Sequence, residues 1–398
     1  GPEINLGWEP SFILYKNSEE SYDWRMYDSM RGIVTGGNDN FLAANKTDAE
    51  NTDNNKLSLT PTGFKVVSND SDVNGSSRTI IYICIRRPDG YVGKPPELGT
   101  SVFAMDTGNG SNSIPSMDSG FPVDFATFRL PASTGDWYSS SRLTQNKNLY
   151  LNTSASESTD NFADYDSNSG FYRGLGSTYQ SWMWKRHAGF DVVTYMGNSS
   201  GTGSSQVISH NLSKVPEMIW IKDRDDTINW VAGHKGLNGG TNPWNYHLKL
   251  NTTDAEATGS GAWFDTAPSS SNFTIGHYGN WNANNHKYIA MLFASANDIN
   301  GNPISKVGSY TGSGSAQTIT TGFQPRFVII RRSDDSANWL VLDTTRGWGS
   351  GDDKYIYLNS SAYQEDYDFG APTSTGFTVS THGTVNSSSG EYIYYAHA

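Results

Sequence analysis

The sequence is short of cysteine, of long apolar runs and of positive charge, and each shortage excludes something. One cysteine, Cys84, rules out an internal disulfide framework and any CxxC metal site. It lies in the apolar run TIIYICIRR, where a free thiol acts as a small buried hydrophobe. No apolar run approaches the roughly 20 residues that a membrane-crossing helix needs, and no signal-peptide pattern is visible. Membrane insertion is therefore not expected. Lys and Arg total 28 against 40 Asp and Glu, for a formal charge of −12. Without a compact basic patch, nucleic acid is not expected as a partner.

Aromatics, by contrast, reach 13%, and Gly, Ser, Thr and Asn crowd the chain. Disordered chains avoid aromatics, so this is a folded, β-rich protein with cores built from Trp, Tyr and Phe. A length of 398 residues accommodates roughly two to four domains. The sequence opens Gly1-Pro2 rather than with Met, and the natural polypeptide is expected to extend upstream.

An internal repeat organises the rest. DWRMYDSMRG at 23–32 and NWLVLDTTRG at 338–347 both read Trp, then Asp four residues on, then Arg-Gly. With Trp as a ruler, Pro10 precedes Trp24, Pro122 precedes Trp137, Pro216 precedes Trp230 and Pro325 precedes Trp339, at 14 or 15 residues each. Each Pro leads an apolar stretch ending in Lys or Arg. After each Trp comes a Leu- or Ile-containing run with an Asn: Asn45, Asn152, Asn251 and Asn359. Five residues later stand Glu50, Glu157, Glu256 and, in the last copy, Gln364. A turn with Phe64, Phe171, Phe273 or Phe377 follows, then an aromatic-aliphatic closing stretch.

The repeat length of about 100 residues is that of whole domains rather than of a solenoid. Short apolar stretches between Gly-, Asn-, Asp- and Ser-rich turns, with no helical periodicity, predict strands. Proline fits at a strand start, where no ladder donor is lost. The expected fold class is all-β: a tandem array of four related β-sandwich domains, jelly-roll or lectin-like, at 1–95, 96–190, 191–299 and 300–398. Their cores are expected in series. Copies two to four begin with a lead-in strand (SVFAMDTGNGSN, DVVTYMGNSSGTG and SKVGSYTGSGSAQT); in the first copy, which starts almost at its Pro, that strand is expected to be either missing or supplied by residues upstream of this sequence.

The order of these motifs resembles a tandem domain of marine bacteriophage virion proteins, especially tail fibres and other tail-associated proteins. PEMIWIKDR, YDSMRG, YLNTSASEST, TGFTV and YQSWMWKRHAG carry the resemblance, which spans all four copies. DWYSSSRL and NWVAGHKG depart from it, because they lack the Asp. The resemblance implies a virion component that contributes to host attachment, with other virion proteins as partners. It also implies a homo-oligomer, a trimer being favoured, and localisation to a tail or surface fibre. It supplies no ligand and no catalytic residue. A carbohydrate-binding array of a secreted bacterial protein and a capsid-decorating fibre stand as alternatives.

Candidate chemistry is thin. Asp28 with Arg31, and Asp343 with Arg346, read as a strand-end turn in which Asp caps and Arg pairs, because the middle copies discard the acid. The acidic clusters NSEES, DRDDT and RSDDS fall where hairpin loops belong, and the second copy has PASTG instead. A calcium site needs more oxygen ligands than this pattern guarantees. Eight His form no zinc-like pair. No carboxylate pair stands out for glycosidic hydrolysis. No catalytic residue, cofactor or metal is expected, and the chain is not read as an enzyme. Aromatics outside the repeat are the better signal. Trp244, Tyr246, Trp281 and Trp348 sit in Gly- and Asn-rich loops, where exposed rings would stack on a host-surface glycan; the alternative is that they cover loops or contact a neighbouring domain or subunit, as aromatics commonly do.

Overall fold

A computed structural model describes residues 1–87, 92–145, 147–158, 163–174, 176–199, 201, 203–276 and 281–398. The chain is all-β, and among the described residues no helix exceeds four residues. Each sequence copy contributes one larger and one smaller antiparallel sheet.

The larger sheets share one strand order. In the second copy it runs from the Asn strand Leu149–Tyr150 to the Trp strand Tyr138–Ser141, the Pro-led strand Phe125–Arg129, the closing strand Gln180–Trp184 and the lead-in strand Phe103–Thr107. In the third the same order is Tyr246–Lys249, Val231–His234, Met218–Asp223, Lys287–Phe293 and Phe190–Met196. In the fourth it is Asp353–Tyr357, Leu340–Asp343, Phe327–Arg332, Glu391–His397 and Pro303–Thr311. In the first copy the order is Asp39–Ala43, Arg25–Asp28, Pro10–Asn17 and Ile80–Arg86, and there it stops. Among the described residues its closing strand pairs on one side only.

Period-two alternation explains the continuous apolar runs. In MIWIKD, Ile219 and Ile221 turn toward the smaller sheet of their own copy, packing with Ile208 and Phe273. Met218 and Trp220 turn the other way, into a cluster shared with Phe125 and Trp182 of the second copy and Phe327 and Tyr395 of the fourth. The fourth copy divides its RFVIIRR run likewise: Val328 and Ile330 face its own smaller sheet, while Phe327 and Ile329 join the shared cluster. The larger sheets of copies two to four are thus buried on both faces, and their outer faces merge in one core. The expectation of separate cores in series fails here. Each strand carries a second apolar face, and water would meet it if the copies stood apart.

The first copy docks on this body through its inner core, Ile13, Tyr15 and Leu57 lying in the same apolar cluster, and through buried charge. Arg186 clamps Glu9 with two hydrogen bonds of 2.7 and 2.6 Å, and Arg87 clamps Asp124 at 2.9 and 3.0 Å. Burial opposes the charge of Asp124, but Arg87, Arg186 and Arg142 outweigh it and hold the carboxyl well below the usual range.

Candidate functional site

The repeat markers form a corner. Each marker Trp stands just before its strand, with an Asp or Asn before it. The marker Asn accepts the Trp backbone N–H through its side-chain oxygen: Asn45 from Trp24 at 3.0 Å, Asn152 from Trp137 at 2.8 Å, Asn251 from Trp230 at 3.0 Å and Asn359 from Trp339 at 2.8 Å. Its amide donates to the residue before the Trp, which is Asp23, Asp136, Asn229 or Asn338. A short amide carries an acceptor and a donor on two separate atoms and so meets both partners at once, which accounts for Asn in all four copies.

The same corner joins copies two, three and four in a closed ring. The indole N–H of Trp230 donates to the Tyr150 carbonyl at 2.9 Å, that of Trp339 to Lys249 at 3.4 Å, and that of Trp137 to Tyr357 at 2.9 Å. Each acceptor lies two residues before the marker Asn of the neighbouring copy. A second set of bonds runs the other way, from the backbone N–H five residues after the Asn. Glu157 donates to the Arg224 carbonyl, Glu256 to Ser333 and Gln364 to Pro131, at 2.8, 2.7 and 2.7 Å. Each of these acceptors lies six residues before the marker Trp of its copy. Head-to-tail contacts that close after three steps describe a pseudo-threefold arrangement.

Local charge reinforces the ring. At the second–third junction Arg224 holds the Glu157 carboxylate with bonds of 3.0, 2.8 and 3.1 Å, both side chains being buried. In the fourth copy Arg331 reaches the Thr252 and Asp254 carbonyls of the third, and in the second Arg129 reaches those of Ser360, Ser361 and Ala362 in the fourth. Each of these two guanidinium groups also lies over its own marker ring, Trp339 or Trp137.

Asp28 and Asp343 act as turn caps, as the sequence indicated. Asp28 accepts from the backbone of Met30 and Arg31 and pairs with Arg31 at 2.6 Å. Asp343 accepts from the Arg346 backbone, pairs with Arg346 at 2.7 Å and accepts the indole N–H of Trp182. The middle copies keep the cap and change the chemistry. Ser141 accepts from the Leu143 N–H and His234 from that of Gly236.

The loop aromatics follow the second of their two readings, covering loops rather than standing exposed. Trp244 is 6% exposed and meets Trp263 edge-on. Trp281 is 4% exposed, and its indole donates to the Asn229 carbonyl. Trp348 is 3% exposed and donates to Gly370. Tyr246 is half-buried beside the shared core. Three of the rings fold back over their own copy because an apolar ring gains more from burial than a polar loop loses by bending. The four do not converge on one surface.

A polar cleft of about 430 Å³ opens instead where the first three copies meet. Arg31, Asn38 and Asn40 come from the first copy, Gln145 and Glu157 from the second, and Arg224 and Lys287 from the third. Lys287 pairs with Asp225 at 2.8 Å, and Arg31 with both Asp28 and Glu50. The lining offers amides, paired charges and Lys147, suited to a polar ligand. Arg31 and Glu157 were visible as repeat markers. That they meet was not legible, since the cleft is assembled from segments far apart in sequence. Among the described residues no three His, Cys, Asp or Glu side chains gather into a metal-binding group.

A family model of Domain of unknown function (DUF7483) matches residues 1–87 and 175–398. The chain belongs to the DUF7483 family. The part outside the DUF7483 match is most of the second copy, where the Trp-to-Asn spacing is shortest and PASTG replaces the acidic hairpin. No curated protein matches the chain.

Proposed function

We propose that the chain is a structural virion protein, a phage tail fibre or tail-associated adhesin that contributes to attachment at a host surface. The observation that carries the structural part is the ring of three larger sheets locked around one core by equivalent Trp indole bonds. A β framework with both sheet faces buried resists shear and leaves loops free to vary. The virion part rests on the motif order. In this reading the four copies are related β-sandwiches, jelly-roll or lectin-like, at 1–95, 96–190, 191–299 and 300–398. Partners are other virion proteins and further copies of the chain, a trimer being favoured. No catalysis is assigned. Antibody-gold labelling of particles from a culture that encodes the chain tests the location. Gold on the tail supports the proposal, gold on the head moves the chain to a capsid-decorating fibre, and unlabelled intact particles overturn a virion role.

The polar cleft favours a second reading, an array that binds carbohydrate. Binding on a glycan array that falls about tenfold in Asn38→Ala, a loss of about 1.4 kcal/mol, supports it. Binding unchanged by that substitution removes the cleft from consideration.

A further inference from the structure

The first copy carries the apolar face that copies two to four bury in their shared core, and among the described residues nothing covers it. Leu14 faces Ile83 across the sheet, where the other copies pair Thr127 with Trp182, Trp220 with Met291 and Ile329 with Tyr395. Phe12 faces Ile85, where they pair Phe125 with Trp184, Met218 with Phe293 and Phe327 with His397. The six closing-strand counterparts are at most 2% exposed, whereas Ile83 is 57% and Ile85 55% exposed. Ile81 is 45% exposed, and Phe12, Leu14 and Met26 are only half-buried. Trp24 has the same Asn corner as the other marker Trp residues, yet among the described residues its indole N–H has no acceptor. A contiguous apolar face of this kind marks an interaction surface.

We infer that this face is the contact by which three copies of the chain assemble, their first copies forming a second three-sheet core around a true threefold axis. The occupant is fixed by the chain's own precedent. Three equivalent faces already close a ring of one hand, using the same positions. The face is also free of exposed charge at its centre. Lys16, in line with Phe12 and Leu14, is tied through its ammonium to the Asn17 and Glu20 carbonyls. A neutral face is complementary to copies of itself. By the ring's rule, Trp24 of one chain donates its indole N–H to the Ala43 carbonyl of the next, since Ala43 stands where Tyr150, Lys249 and Tyr357 do, two residues before the marker Asn. A heterologous contact that closes after three steps gives a bounded trimer rather than a filament.

The inference rests on the oligomer part of the proposed function and not on the virion location. The purified chain therefore tests it separately: a trimer in solution with unlabelled particles would sink the location alone. Light scattering coupled to size exclusion is expected to give about 131 kDa, three times the 43.6 kDa chain. Ile83→Glu and, separately, Ile85→Lys are expected to give monomers with an unchanged circular dichroism spectrum, because both side chains are already exposed. Val207→Glu, on an exposed position of another copy, is expected to leave the trimer intact. A monomer or a dimer for the unaltered chain overturns the inference, as does a trimer that survives both Ile83→Glu and Ile85→Lys.

Discussion

Asn251 uses both ends of its amide, accepting the Trp230 N–H and donating to Asn229, and the site is half-buried. Asn251→Ala is expected to cost about 1–2 kcal/mol in urea unfolding, the usual penalty for stranding buried hydrogen-bond groups. Asn45→Ala is expected to cost well under that, because its corner is exposed and water replaces the amide. Histidine sets the response to acid. His234 and His397 are fully buried, and burial pushes both down to about 3. The unfolded chain takes up protons below its ordinary His range of about 6.5 while the folded chain does not, so stability falls as pH drops from about 6.5 toward 3. At pH 5 each such His is expected to cost about 2 kcal/mol relative to pH 7. Asp191 and Asp39, both pushed up to about 7 by burial, and Asp353, pushed up to about 6, work the other way over about pH 4–7, but the His outnumber them: His210 and His247 are also pushed down, to about 4, and burial holds His187 well below its usual range. Chemical denaturation of His397→Phe between pH 7 and pH 5 should show a shallower loss than the unaltered chain. An equal slope would remove His397 from the account.

Among elements, the junctions between copies decide stability. Glu157→Ala leaves Arg224 buried beside the second–third junction and is expected to cost about 3 kcal/mol. Trp339→Phe keeps an apolar ring but deletes the donor to Lys249, for about 1 kcal/mol. If both substitutions proved neutral in urea unfolding, the ring would be an incidental contact. Much of this level was legible beforehand. Proline ahead of each strand, Trp at a near-fixed offset from it, a marker Asn after each Trp and the first copy's want of a lead-in strand within this sequence were all visible, because they are local and repeated. The fate of Trp244, Trp281 and Trp348 was not. A ring in a Gly- and Asn-rich loop reads the same whether it faces solvent or folds inward, and the residues that decide it, such as Trp263 beside Trp244, lie elsewhere in the chain.

On the scale of the whole molecule, the sequence suggested four units and missed how three of them join. The signal was present: runs such as MIWIKD are apolar on both faces, which a sheet with one wet face does not need. Reading it as a shared core requires knowing that the second face meets its own kind, and that is a fact about assembly rather than periodicity. The polar cleft was hidden for the same reason. One shared core makes copies two to four a single cooperative unit, whereas separate cores would yield one at a time. The most direct test is hydrogen exchange read by mass spectrometry on Trp230→Ala, which removes the ring bond to Tyr150 and opens a cavity at the centre. A single shared core predicts faster exchange together in all three closing strands, Gln180–Trp184, Lys287–Phe293 and Glu391–His397. Faster exchange confined to Lys287–Phe293 and its neighbours in the third copy would contradict it.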